Sequence, residues 1–180
     1  LIRDPKHDIF TTMQAPDFPG GGQIIFDRAA MEQIYKTGRG SIKVRSRYTY
    51  DKSANCIDIT QIPPTTTIEA IVEKVIDLVK QGKVKEITDI RDESDRHHGM
   101  RIVIDVRRDA NAQVILNQLY KYTQLQDTFA ANMLALVGGE PKVLNLKEML
   151  HYYLLHQMDV LCRRLRFDLE KAERRAHIVE

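Results

Sequence analysis

The sequence contains few cysteines and no long apolar run, and these two scarcities exclude whole classes of protein. Its apolar stretches fall well short of the ~20 residues that a membrane-spanning helix needs, and no signal-peptide pattern stands at its start. Cys56 and Cys162 lie far apart without CxxC or Cys/His spacing, so neither a disulfide framework nor a zinc site is predicted. These features favour a cytoplasmic protein with no membrane partner.

The sequence also has almost no net charge, because 27 Lys and Arg offset 25 Asp and Glu to leave +2. A nucleic-acid partner must therefore be argued from where the charges lie and not from their sum. A length of 180 residues suits one domain, or one domain with an appended element, and is enough to bury a core. Since the chain opens on Leu1 and not on Met, we expect it to be a piece of a longer protein.

No catalytic constellation is apparent, since nothing resembles a Ser/His/Asp or Cys/His set. The acidic run RDESD, residues 91–95, invites a magnesium site, but the flanking Arg91 and Arg96 can pair with its acids, and we favour structural pairing. His97 and His98 are neighbours, so on extended backbone they would point apart. We therefore predict no catalytic residue, no metal site and no cofactor within this chain.

The strongest local feature is YKTGRGSIKVRSR, residues 35–47, which is rich in cations and has no acid. Its cations are Lys36, Arg39, Lys43, Arg45 and Arg47. Strand alternation places the last three cations on one face. The opposite face then carries Ile42, Val44 and Ser46.

Two interpretations of this basic strand remain open on the pattern alone. Cations two residues apart lie ~6.6 to 6.8 Å apart along a strand, close to the phosphate spacing of a nucleic-acid strand, and the TGRG turn adds amide groups that a phosphate can accept from. We predict that the five cations bind DNA. The alternative is a solvated outer face of an edge strand, where charge discourages aggregation.

The periodicity of residues 1–144 predicts an α+β domain. A short helix at Arg28–Tyr35 ends at Gly38 and Gly40, and the basic strand then forms a hairpin with a strand at 56–62 across the turn DKSAN. Thr66 has capping-box spacing to Glu69 and begins a helix that ends at Gly82. Its apolar stripe consists of Ile68, Ile71, Val72, Val75, Ile76 and Val79.

The later half of this domain continues the alternation of strands and helices. A strand at 100–108 is followed by a helix that Asp109 caps and that carries Ala112, Ile115, Leu116, Leu119 and Tyr120. A short strand at 132–137 closes on Gly138 and Gly139. This order predicts an antiparallel or mixed sheet with helices covering one face.

The last segment, residues 145–180, predicts one long helix beginning near Leu146. Its apolar positions step by threes and fours: Leu150, Leu154, Met158, Leu161, Leu165, Leu169, Ala172, Ala176 and Val179. Such a helix would be ~50 Å long at 1.5 Å per residue. A single stripe on a helix of this length predicts packing on a partner, so we interpret the segment as the truncated start of an arm.

Several long motifs, in order along nearly the whole chain, resemble the A subunit of bacterial type IIA topoisomerases, DNA gyrase or topoisomerase IV. They are PDFPGGG, YKTGRGSIKVRSR, ITDIRDESDRHHGMRIVIDVRRDA, YKYTQLQDTFAANMLALVGGEPKVLNLKEML and RRLRFDLEKAERRAHIVE. The resemblance implies that residues 1–144 form the "tower" domain and residues 145–180 the first helix of the coiled-coil arm. It does not distinguish gyrase from topoisomerase IV.

The resemblance also implies a function: ATP-dependent passage of one duplex through a transient double-strand break in another, with the tower supporting the arms of the cleaved DNA. The implied partners are double-stranded DNA, the B subunit, which supplies ATPase activity and the Mg²⁺ site, and a second A subunit. The catalytic tyrosine belongs to an upstream motif, so we interpret Tyr48, within Arg47-Tyr48-Thr49, as a strand residue and expect this stretch alone to be inactive. The alternative is a structural spacer between the cleavage core and the exit gate, without DNA contact.

Overall fold

The structure, a computed structural model, describes residues 2–97 and 99–179 and confirms the predicted α+β class. The strands in these ranges are β1 (Gln23–Ile25), β2 (Arg39–Arg45), β3 (Arg47–Asp51), β4 (Cys56–Gln61), β5 (Ile87–Asp92), β6 (Ile102–Val106), β7 (Gln126–Asn132), β8 (Leu134–Val137) and β9 (Glu140–Val143). The helices are α1 (Arg28–Thr37), α2 (Ile68–Lys80), α3 (Ala112–Tyr122) and α4 (Leu146–Val179), with a short 3-10 turn at Ile9–Thr11. None of the helices within the described residues is both long and apolar enough to cross a bilayer.

The strands form three sheets, and the described residues divide into two compact units. The sheets have the orders β1-β2-β7, β3-β4-β6-β5 and β8-β9. The first unit comprises residues 2–9, 32–40 and 131–179, and the second comprises residues 10–31, 41–97 and 99–130. The strand pairs within the four-stranded sheet are antiparallel.

The main core lies in the second unit, where α2 and α3 cover one face of the four-stranded sheet. The helix α2 forms because Ile71, Val75 and Leu78 recur at helical spacing and are all buried. Their partners across the core are Ile57, Ile59, Val84, Ile87, Ile102, Ile104, Val106, Ile115, Leu116, Leu119 and Leu125. The predicted helix-covered sheet is confirmed, although Ile76, which we placed in the stripe, is exposed.

Both predicted helix caps are displaced by one or two residues. The side chain of Thr67, and not that of Thr66, accepts the amide of Ala70 and caps α2. The side chain of Asn111, and not that of Asp109, accepts the amide of Gln113 and caps α3. Sequence spacing allows either residue, and the choice depends on which one has extended backbone just before the first helical turn.

The predicted hairpin has its second strand where expected but a different first strand. Residues 47–51 pair with β4, whereas β2 pairs with β1 and β7 in the other sheet. The chain changes sheets at Ser46, which is buried and donates its amide to the carbonyl of Leu125 at 2.7 Å. The alternation of buried and exposed side chains therefore continues through Ser46, while the strand that the chain pairs with changes.

Sequence periodicity missed several short strands: β1, β5, β7 and β9. The strand predicted at 132–137 is observed as the end of β7 and the strand β8, which turns through Gly138 and Gly139 to pair with β9. These elements are too short or too irregular in polarity to be recognised alone, and pairing defines them.

The long helix α4 begins at Leu146, as predicted, and spans about 51 Å at 1.5 Å per residue. A capping box starts it: the amide of Glu148 donates to Asn145 Oδ1 at 2.8 Å, and the amide of Asn145 donates to Glu148 Oε2 at 2.9 Å. Leu150 and Leu154 are half-buried, and every described residue after Leu154 is exposed. The helix thus presents an open apolar stripe over most of its length.

Candidate nucleic-acid interface

The predicted alternation of the basic strand is confirmed in the structure. Lys43, Arg45 and Arg47, which we call the cationic row, are exposed, and all three belong to the second unit. Ile42, Val44 and Ser46 are buried. The inward side chains hold the backbone in place, so Lys43 and Arg45 project from one face of β2, and Arg47 follows them, also exposed, at the start of β3.

Around Lys43 and Arg45, the described exposed positions of the β1-β2-β7 sheet carry no acidic side chain. On β1, Gln23 lies opposite Arg45 and Ile25 opposite Lys43, so they share the same face. The exposed positions of this sheet within the second unit are Gln23, Ile25, Ser41, Lys43, Arg45, Thr128 and Ala130. The neighbours among these positions are uncharged, so Lys43 and Arg45 determine the charge of this part of the face.

Arg45 contacts two neighbouring side chains. Its Nε donates to Gln126 Oε1 at 2.5 Å, and its guanidinium lies 4.9 Å from the centre of the Tyr120 ring. Within the part of the chain that the structure describes, none of the three cations has a carboxylate in ion-pair distance. The row therefore presents positive charge that no acid in residues 2–97 and 99–179 neutralises by direct pairing.

Lys36 and Arg39, the other two predicted DNA-binding residues, belong to the first unit. Lys36 lies in the last turn of α1 and pairs with Glu32 at 3.2 Å, while its side chain is 74 % exposed. Arg39 is exposed at the start of β2. The structure thus groups three of the five predicted residues in one unit and two in the other, and DNA contact by any of them stays a prediction.

We expected the backbone amides of the TGRG turn to be available to a phosphate, but two of them form hydrogen bonds within the chain. The amide of Gly38 donates to the carbonyl of Ile34 at 2.8 Å, and that of Arg39 donates to Thr37 Oγ1 at 3.2 Å. Both bonds close the C-terminal end of α1. These two amides are therefore not free to bind phosphate, and that part of the prediction is wrong.

The acids of RDESD take part in local pairing and in turns. Arg91 and Glu93 form an ion pair at 3.2 Å, as the pairing interpretation predicts, while the pairing predicted for Arg96 stays a prediction. Asp92 accepts the amide of Ser94 at 2.9 Å, and hydrogen bonds from Ser94 hold the pKa of Asp92 below its usual range. In residues 2–97 and 99–179, no three His, Cys, Asp or Glu side chains come together to hold a metal ion. His98 lies outside the described residues.

Sequence analysis missed a charged network on the face of the four-stranded sheet opposite the helices. Arg91 pairs with Asp89 at 3.0 Å, with Glu93 and with Asp105, and Arg101 pairs with Asp58 at 3.0 Å and with Glu93 at 3.1 Å. The hydrogen bonds that Arg91 donates to Asp105, Asp89 and Glu93 raise the pKa of Arg91 above its usual range. We call Asp58, Asp89, Arg91, Glu93, Arg101 and Asp105 the carboxylate–arginine network. Only the register of β4, β5 and β6 brings these positions together.

Tyr48 is a strand residue, as predicted. It lies in β3, packs against the core of the second unit, and donates its hydroxyl to Gln113 Oε1 at 3.4 Å. Its ring is partly buried between the sheet and α3. This position suits a packing role.

Comparison with known proteins shows which family the chain belongs to. The family model for the A subunit of DNA gyrase/topoisomerase IV matches residues 1–180. The DNA gyrase A subunit of Clostridium acetobutylicum is 49 % identical over 186 aligned positions that cover all of this chain and 22 % of the relative. The same protein of Halalkalibacterium halodurans is 49 % identical, again over all of this chain and 22 % of the relative. That of Metamycoplasma arthritidis is 50 % identical over all of this chain and 20 % of the relative.

The chain spans about a fifth of the length of the curated relatives that it matches. The match runs through both compact units and includes the basic strand and α4. The chain therefore belongs to the family of the DNA gyrase and topoisomerase IV A subunits.

Proposed function

We propose that this chain is the duplex-supporting part of a bacterial type IIA topoisomerase A subunit, corresponding to the tower domain and the start of the coiled-coil arm. The cationic row carries the proposal: Lys43 and Arg45 on an acid-free face of the β1-β2-β7 sheet, followed by Arg47 at the start of β3, with no internal ion pair among the described residues. Such a face suits the sugar–phosphate backbone, because phosphate contacts position a protein on DNA without reading sequence. Binding should be salt-sensitive and tolerant of sequence.

The parent reaction supplies the context of this proposal. In it, a duplex is broken, a second duplex passes through the gap, and ATP is consumed. The broken duplex needs support on both sides of the break, and a cation that its neighbours already hold in place provides it with little loss of side-chain freedom. Arg45, held by Gln126 and Tyr120, illustrates that preorganisation.

The proposal assigns the remaining chemistry to other parts of the assembly. The nucleophilic tyrosine lies elsewhere in the A subunit, and the B subunit provides the ATPase and the Mg²⁺ site. We expect this chain to need no cofactor of its own, and a second A subunit completes the assembly. The chain alone should bind duplex DNA but not cleave it.

The proposal is tested by neutralising the cationic row in the full 180-residue chain. Lys43→Gln, Arg45→Gln and Arg47→Gln remove three charges while keeping much of the side-chain length, so packing on Tyr120 is retained in part. The slope of log affinity against log salt should become shallower by about 0.9 for each phosphate that is no longer neutralised, or about 2 to 3 in all. Fluorescence anisotropy of a labelled duplex across a salt series measures this slope.

A matched control variant separates the effect of the cationic row on DNA binding from the effect of net charge. Lys74, Lys80 and Lys85 are cations on or beside α2, and their replacement by Gln removes the same charge elsewhere. The control triple variant should retain most of the slope. Equal slopes in the wild type and the cationic-row variant, or no duplex binding by the wild-type chain at low salt, would instead favour the alternative of a spacer without DNA contact.

A further inference from the structure

The exposed side chains of residues 43–51 change the sign of their charge along the chain. Lys43, Arg45 and Arg47 are followed at the same spacing by neutral Thr49 and then by Asp51, and all five are exposed. Thr49 lies directly opposite Asp58 of β4. The cationic row therefore ends where the carboxylate–arginine network begins.

The network occupies the face of the four-stranded sheet that the helices leave open. Tyr48 and Tyr50 pack against the core beneath α2 and α3. Alternation then turns Thr49 and its partner Asp58 toward the opposite face. Asp58, Val103 and Arg91 are in register across that face, which the network covers.

The network is satisfied internally but retains negative charge. Each of its four carboxylates accepts from Arg91 or Arg101, so it offers no open ligand position. Four carboxylates against two guanidinium groups leave a formal charge of two negative. The carboxylate side chains are 19 to 56 % exposed, so much of this field reaches the solvent.

The negative field begins close to the last cation of the row. The nearest network carboxylate is that of Asp58 on β4, opposite Thr49; Thr49 is about 7 Å along β3 from Arg47, and β4 lies about 5 Å across from β3. The resulting separation of about 8 to 9 Å is comparable to the Debye length of about 8 Å at physiological ionic strength. A phosphate held at Arg47 is thus attracted on one side and meets repulsion on the other.

We propose that the carboxylate–arginine network marks the end of the DNA-binding surface, confining the duplex to the cationic row and keeping phosphates off the rest of the open face of the four-stranded sheet. This inference rests on the proposed function, since it limits the surface that the cationic row creates. It makes Asp89 and Glu93 residues that determine the extent of DNA contact without touching DNA.

The test neutralises the residual charge without dismantling the network. In Asp89→Asn combined with Glu93→Gln, Arg91 keeps Asp105 and Arg101 keeps Asp58. The double variant of the full chain should bind a labelled duplex more tightly at low salt. Its salt slope should be steeper by about 0.9 for each additional phosphate engaged. The single variant Asp89→Asn should show a smaller change in the same direction, and a thermal melt checks folding.

The control is Glu73→Gln with Asp77→Asn, which removes two exposed acids from α2 on the helix-covered side. It should leave the slope close to that of the wild type. An unchanged slope in the network variant, or an equal change in both double variants, would overturn the proposed boundary while the effect of the cationic-row variant stands. If the cationic-row variant itself binds like the wild type, the proposed function fails, and the boundary fails with it.

Discussion

At the scale of single residues, Gly38 shows how one position determines the end of an element. It terminates α1 with φ +74, a backbone region that side-chain-bearing residues rarely adopt. A Cβ at this position would lie 2.2 Å from the carbonyl oxygen of Leu144 in the same unit. Glycine's usual role predicts this helix end from sequence, but only the folded chain reveals the close approach of residue 144.

Gly38→Ala should therefore destabilise the first unit markedly. The left-handed backbone alone costs a side-chain-bearing residue roughly 1 to 2 kcal/mol, and the contact with Leu144 adds displacement of backbone. Gly138→Ala is the matched control, since Gly138 has φ +61 but nothing within 4 Å of an added Cβ. Urea unfolding followed by circular dichroism should show the larger loss for Gly38→Ala, and equal losses would mean that the contact with Leu144 is unimportant.

At the scale of elements, local sequence patterns predict which face of a helix or strand is buried better than they predict which strands pair. The buried stripe of α2 and the alternation of the basic strand follow from spacing alone, and both are observed. The pairing of β2 with β1 and β7, and of β3 with β4, depends on a change of sheet at Ser46 that leaves the alternation unbroken. The same limit applies to the candidate site: spacing predicts the cationic row, whereas the carboxylate–arginine network needs the register of three strands.

The cap of α3 offers a direct test of structure against sequence spacing. Asn111→Ala should cost about 1 kcal/mol of unfolding free energy, because its side chain accepts the amide of Gln113 at 3.0 Å. Asp109→Ala removes the residue that we predicted as the cap and should change stability by less than about 0.5 kcal/mol. Denaturant unfolding of both variants checks this, and a larger loss for Asp109→Ala would contradict the observed cap.

At the scale of the whole molecule, family membership and the role of this part of the protein have different support. The family follows from a match over the entire chain, whereas the proposed role depends on the cationic row and its acidic border. The single stripe of α4 predicts packing on a partner, and in the structure the described residues of the helix beyond Leu154 are exposed. Sequence spacing therefore predicts the apolar stripe of α4, and experiment has to identify the surface that packs on it.

Exposure of this stripe leads to a last prediction. Leu165 and Leu169 are 57 % and 58 % exposed, so Leu165→Ala with Leu169→Ala removes little buried surface and should change unfolding free energy by less than about 1 kcal/mol. Leu144, in the same unit, is 6 % exposed, and Leu144→Ala should cost about 2 kcal/mol or more through cavity formation. Thermal melts at several protein concentrations distinguish an uncovered stripe from one that packs on a second copy of the chain. A large loss in the double variant, together with melting that depends on concentration in the wild type, would show that the stripe packs on a second copy, because an apolar helix face contributes to stability only where something covers it.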